Sequence, residues 1–158
     1  MSDPRQLRYE VEELYHDYVE CLDEGELERW AEFFTDECVY KVIPRENWER
    51  GLPLALMYCE SKGMLLDRVE ALRRTSVYAP RALRHLLSNV RIKEVAGDEI
   101  RVQANYAVLQ TLSGEETKVF NAGKYVDRVV RQGERLLFRE KLCVFDSVLV
   151  PGSLIYPL

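Results

Sequence analysis

The chain has 158 residues, 47% of them hydrophobic and 31% charged, which suits one domain with a sizeable apolar core. Its formal charge of -5 argues against nucleic acid as the main partner, and its longest uncharged apolar run, "GLPLALMYC" at 51–59, is far too short to span a bilayer. Residues 1–60 carry 6 basic and 16 acidic side chains while 61–158 carry 16 and 11, an asymmetry that suits either solvated faces or complementary docking surfaces.

From Leu7, apolar residues recur at Val11, Leu14, Tyr15, Tyr18, Val19 and Leu22, a helical stripe that Gly25 stops. A short second helix follows, with Leu27, Trp30, Ala31 and Phe34 on one face. "CVYKVIP" (38–44) reads as a strand ended by Pro44. Residues 61–74 form a further helix with Leu65, Val69 and Leu72 inward. After residue 88 the period changes from helical to alternating: Val90 and Ile92 alternate with Arg91 and Lys93. "AGDE" (96–99) turns the chain into a long strand bearing Ile100, Val102, Ala104, Tyr106 and Val108 on one face. "SGEE" and "RQGER" supply two more tight turns, and Gly123 within a strand suits a bulge or bend. "RHLLSNVRI" (84–92) is expected where an irregular segment enters the sheet, with Asn89 suited to the turn there.

Helices first and then an antiparallel meander with one apolar face predict an α+β fold, with the helices packed into the concavity of a curved sheet. This is the cone-shaped roll of nuclear transport factor 2 and ketosteroid isomerase, also described as cystatin-like. No internal repeat or linker divides the sequence, so residues 1–158 are expected to form one domain. The four cysteines (Cys21, Cys38, Cys59, Cys143) form no C-x-x-C pair and are expected as free thiols. The N-terminus lacks an apolar signal core, so a cytoplasmic protein is expected.

A roll of this kind has a pocket at its mouth, so catalysis must be weighed. Glu13-x-x-His16 has the carboxylate–imidazole spacing of di-iron bundles, but those need the pair twice, and here it occurs once. His85 is the better candidate for a general base, with Asp36, Asp127 or Asp146 as carboxylate partners and Tyr15, Tyr18, Tyr106 and Tyr125 as pocket lining. That combination would make a stand-alone isomerase or dehydratase. The alternative is a histidine whose ring nitrogens are satisfied structurally. Dinucleotide, phosphate-loop and nucleophile-elbow motifs are absent.

"DRVEALRR" (67–74), "APRALRHLLSNVRI" (79–92), "ANYAVLQT" (104–111), "GKYVDRVV" (123–130), "LLFREKLCVFDS" (136–147) and the ending "SLIYPL", in this order and spacing, resemble the small (β) subunit of bacterial aromatic-ring-hydroxylating dioxygenases. The tail "CVFDSVLVPGSLIYPL" is most similar to members paired with oxygenases of monocyclic aromatic acids such as salicylate, anthranilate or halobenzoates. One departure is "YCESKG" (58–63), where many members carry an acidic pair after the tyrosine.

The resemblance implies a non-catalytic subunit of an NADH-dependent oxygenase, supporting the assembly and stability of the catalytic α subunits. It implies an α3β3 hexamer with β–β contacts and neither nucleic acid nor membrane as partner. The α subunit would carry a Rieske [2Fe–2S] cluster and a mononuclear Fe(II), which together require four histidines; this chain has two. No catalytic, cofactor-binding or metal residue is therefore expected here. Contacts with α or neighbouring β chains are expected from Arg73, Arg74, Tyr78, Arg81, Arg84 and His85, with Tyr156 and Leu158 also docking.

Overall fold

The computed structural model describes residues 3–74, 81–146 and 157–158. Helix α1 (Pro4–Asp23) begins where the Asp3 carboxylate accepts the Arg5 N–H at 3.0 Å and Pro4 pre-sets the first turn. Its buried stripe is Val11, Leu14, Tyr15, Tyr18, Cys21 and Leu22, as the spacing predicts. Gly25, at φ +73°, ends it in the left-handed conformation, and the Glu26 N–H returns to the Cys21 carbonyl at 3.0 Å.

Helix α2 (Leu27–Trp30) and a 3-10 turn (Ala31–Phe33) lead into strand β1 (Phe34–Pro44). Phe34, expected as the last residue of a helical face, is already extended and points into the core. The tight 3-10 turn moves the chain from helix to strand earlier than a helical period suggests. Helix α3 (Arg45–Glu49) and strand β2 (Met57–Cys59) follow, two short elements with too few residues to show a period. Helix α4 (Lys62–Arg74) buries Leu65, Val69 and Leu72.

Four long strands complete the fold: β3 (Arg81–Ala96), β4 (Glu99–Leu112), β5 (Thr117–Gln132) and β6 (Arg135–Phe145). The β3–β4 and β5–β6 hairpins each have two turn residues, with Gly97 and Gly133 at positive φ in the first turn position, as type II′ turns require. The six strands lie in the order β2-β1-β6-β5-β4-β3, with β1 parallel to β6 and every other pair antiparallel. The helices supply one wall of a continuous core and the inward face of the sheet the other.

The expected junction at 84–92 is corrected: these residues lie within β3, and His85 pairs with Val108 of β4. Leu83, His85 and Leu87 face inward up to a bulge between Ser88 and Arg91, where Asn89 takes φ 51°. Beyond it Val90 and Ile92 take over the inward face, so the apolar period shifts from odd to even positions. That phase change hides the first half of the strand from a search for alternation.

Further register shifts fall at Lys93 in β3, between Phe34 and Val39 in β1, at Phe120 in β5 and at Arg139 in β6. Gly123 is not itself a bulge but a point of close approach. A Cβ there would stand 2.0 Å from the Val144 carbonyl oxygen and 2.7 Å from the Phe145 Cα. Both obstacles are backbone, so Gly123→Ala should destabilise the chain by about 1–3 kcal/mol. Urea denaturation would show the midpoint shift; an unchanged midpoint would mean that β5 and β6 separate freely there.

Candidate functional site

One transverse row of the sheet carries the interior chemistry. Strand register aligns Val102, Asp127, Lys141, Tyr40 and Cys59 across β4, β5, β6, β1 and β2, and all five are buried. Asp127 and Lys141 are direct cross-strand partners, with Nζ 2.7 Å from Oδ2 and neither side chain exposed. The Tyr15 hydroxyl, from α1, donates to the same carboxylate oxygen. The ammonium also lies 3.6 Å from the centroid of the Tyr125 ring and 4.2, 4.6 and 4.7 Å from those of Phe138, Tyr18 and Tyr15.

A lysine taken out of water needs a counter-charge and polarisable neighbours, and this box supplies both. Burial pushes Asp127 up and Lys141 down, each toward its neutral form, while their mutual charge and hydrogen bond oppose both shifts. Burial likewise lifts the Cys143 thiol to about 12 and those of Cys21 and Cys38 to about 11, far from the thiolate a nucleophile needs.

The space beside this row is occupied. Leu158 has no exposed surface, and its backbone oxygen accepts the Tyr18 hydroxyl at 2.8 Å. The inward tyrosines expected to line a pocket are thus buried side chains packed on one another, with Tyr106 stacked on Tyr125 at 4.4 Å.

His85 forms a separate pair. None of the three aspartates expected beside it is its partner: Asp127 holds Lys141, Asp146 meets Arg45 at the surface, and Asp36 is exposed near Lys62. The partner is Asp23, the last residue of α1, whose Oδ1 lies 2.6 Å from His85 Nδ1. The His85 backbone N–H also donates to both Asp23 oxygens, at 3.0 and 3.1 Å.

A carboxylate at a helix C-terminus faces the negative end of the dipole, and these donors from β3 offset that cost. The acceptor fixes the tautomer with hydrogen on Nδ1. Nε2 is buried and has no hydrogen-bond partner among the described residues. A groove of about 680 Å³ on the outer side of the sheet, with Trp48, Lys93, Arg101, Arg128, Glu140 and Leu142 in its walls, does not include His85. The 62-residue separation of Asp23 from His85 left no signal in the sequence. The Asp127–Lys141 pair did leave one: charged residues in phase with Tyr125 and Val129, and with Cys143 and Phe145.

The remaining candidates are scattered. Arg73 binds Glu28 through two nitrogens, at 2.8 and 3.0 Å, and the Gly25 carbonyl at 2.9 Å, tying α4 to α2. Arg74 is exposed and pairs with Glu70; Arg81 binds the Gln110 side chain at 2.7 Å; Arg84 projects from the outer side of β3. His85 and Leu158 present no side-chain surface to a partner in this fold, and Tyr78 and Tyr156 lie outside the described residues. Glu13 and His16 meet at 3.4 Å on the exposed face of α1. Among the described residues, no three His, Cys, Asp or Glu side chains gather as a metal would need. No helix among them is long and apolar enough to cross a membrane.

One surface feature went unread in the sequence. Leu52, Leu54, Leu56, Tyr58, Met64 and Leu66 are all exposed within one stretch around β2 at the sheet edge. The sequence shows an apolar run there but not that its side chains stay outside.

Residues 18–151 match the family model for the ring hydroxylating beta subunit. The chain is 38% identical over 150 residues to the anthranilate 1,2-dioxygenase small subunit of Burkholderia cepacia, covering 95% of this chain and 93% of that one. It is 30% identical over 141 residues to subunit beta 1 of the terminal oxygenase component of terephthalate 1,2-dioxygenase from a Comamonas species, with 89% and 92% covered. A crystal structure from Novosphingobium aromaticivorans, assigned as the beta subunit of an aromatic-ring-hydroxylating dioxygenase, superposes with a TM-score of 0.87 at 39% identity, covering 96% of each chain.

The buried pair makes a quantitative prediction. Lys141→Met alone should cost about 3–5 kcal/mol, because it strands a buried carboxylate. Adding Asp127→Asn should recover roughly half of that loss, since the second change removes the stranded charge. Chemical denaturation of the wild type, both single variants and the double variant measures the coupling; additive losses would show that the two groups act independently.

Proposed function

The chain belongs to the β subunits of aromatic-ring-hydroxylating dioxygenases, and we propose that it is a non-catalytic partner that supports assembly and stability of the catalytic α subunits. The observation that carries this reading is the 38% identity to an anthranilate dioxygenase small subunit across 95% of the chain. The same relative favours a monocyclic aromatic acid as the substrate of the whole oxygenase. In this reading residues 1–158 act as one cytoplasmic roll domain within an α3β3 hexamer, which includes β–β contacts. The Rieske cluster and the mononuclear iron reside in α, which receives electrons originating from NADH. The exposed apolar shoulder around β2, together with Arg74 and Arg84, offers partner surface of the kind interfaces use.

The Asp23–His85 pair favours a second reading. An imidazole oriented by a carboxylate, with its other nitrogen unpaired among the described residues, is the geometry of a general base in a stand-alone isomerase or dehydratase. Against it, Nε2 is sealed from solvent, so no substrate proton reaches it in this conformation.

One experiment separates the two readings. The chain is co-expressed with a ring-hydroxylating α subunit, and native mass, iron per α and oxidation of an aromatic acid are measured. The primary reading expects a stable hexamer that loses activity when this chain is omitted. His85→Ala should then lower stability by about 1–3 kcal/mol, through loss of the buried ring and its Nδ1–H bond to Asp23, while iron per α stays unchanged in whatever complex forms. Turnover of a small carbonyl substrate by this chain alone, abolished in His85→Ala, would establish the second reading instead.

A further inference from the structure

Three buried side chains of the roll interior, Tyr18, Tyr40 and Cys143, converge on one residue, Leu158. The Tyr40 hydroxyl accepts the Leu158 N–H at 2.8 Å and stands 3.4 Å from the Leu158 oxygen. The Tyr18 hydroxyl donates to that oxygen at 2.8 Å and is itself held by the Trp30 indole N–H at 3.1 Å. The Cys143 thiol reaches the same oxygen at 3.6 Å. These groups come from α1, α2, β1 and β6, and all four side chains are buried.

Leu158, the last of the 158 residues, lies outside every strand, so its N–H and its carboxylate oxygen gain no partner from the sheet. A main-chain group carried into an apolar interior costs several kcal/mol unless its hydrogen bonds are replaced. Here side chains replace both, while the isobutyl group completes the apolar cluster. A donor, an acceptor and an apolar chamber arranged around a single residue are the parts of a receptor for a peptide unit with an aliphatic side chain.

We infer that the inner end of the roll is a main-chain recognition site occupied in cis by Leu158, which closes the interior to small molecules. An occupant tethered to its own site acts at an effective concentration of roughly millimolar or above, so a free metabolite of similar chemistry is excluded. The inference concerns this chain alone and stands or falls apart from the identity of its partner.

The test uses a chain ending at residue 156, with N-acetyl-leucine as the probe and N-acetyl-glycine as its control. Shortening should lower the melting temperature by several degrees. Millimolar N-acetyl-leucine should raise it again, whereas N-acetyl-glycine should not. An unchanged melting temperature on shortening, or a drop that the leucine compound fails to reverse, overturns the inference.

If the shortened chain does not fold, full-length Tyr40→Phe keeps the ring against Trp30 and removes only the hydroxyl. The Leu158 amide, protected from hydrogen exchange in the wild type, should then exchange at least ~10-fold faster while amides of β5 and β6 keep their protection. Unchanged protection of Leu158 in Tyr40→Phe overturns the inference equally.

Discussion

The rest of the structure is arranged around a lysine that has no access to water. Lys141 sits in the middle of the sheet, and its charge is tolerable only because Asp127 lies directly across the strand pair and aromatic rings close over it. That requirement fixes the register of β5 against β6, since a slip of one residue would carry one partner to the outer face. It also fixes α1, whose Tyr15 contributes a ring and a hydroxyl to the cluster and whose Tyr18 contributes a ring. Buried ion pairs are often no better for stability than well-packed apolar residues, so their value lies in allowing one arrangement rather than several. Here that arrangement places Tyr18 and Tyr40 where they can hold Leu158.

Much of the architecture was legible in the sequence, because each periodic segment carries its own evidence. The α1 stripe, the α4 stripe and the three tight turns all appear where the periods and glycines put them. What failed was the beginning of β3, and the reason is local. Asn89 inserts a bulge that changes which parity faces the core, so a single alternating template fits only the second half. The elements α3 and β2 were missed because 5 and 3 residues are too short for any period to appear.

The chemistry was less legible. A sequence gives spacing along the chain, and the pairs that matter are distant: Asp23 with His85, and Leu158 with Tyr18 and Tyr40. Asp127 and Lys141 were readable in principle, as charged residues in phase with apolar neighbours on the inward face. His85 drew attention for its residue type, yet its Nδ1 and its own backbone N–H are spent on holding the end of a helix. The family resemblance read from the order of five segments and the ending agrees with the matched family model and with relatives across most of the chain.

Among the described residues, the interior of the roll is filled by its own side chains and Leu158. The most direct measurement is a nuclear magnetic resonance titration of the whole chain with an aromatic acid such as anthranilate. A filled interior predicts no saturable shift at Tyr18, Tyr40, Tyr125, Lys141 or Leu158 at millimolar ligand. Saturable shifts at those residues would contradict the account and show that the interior opens to a small molecule.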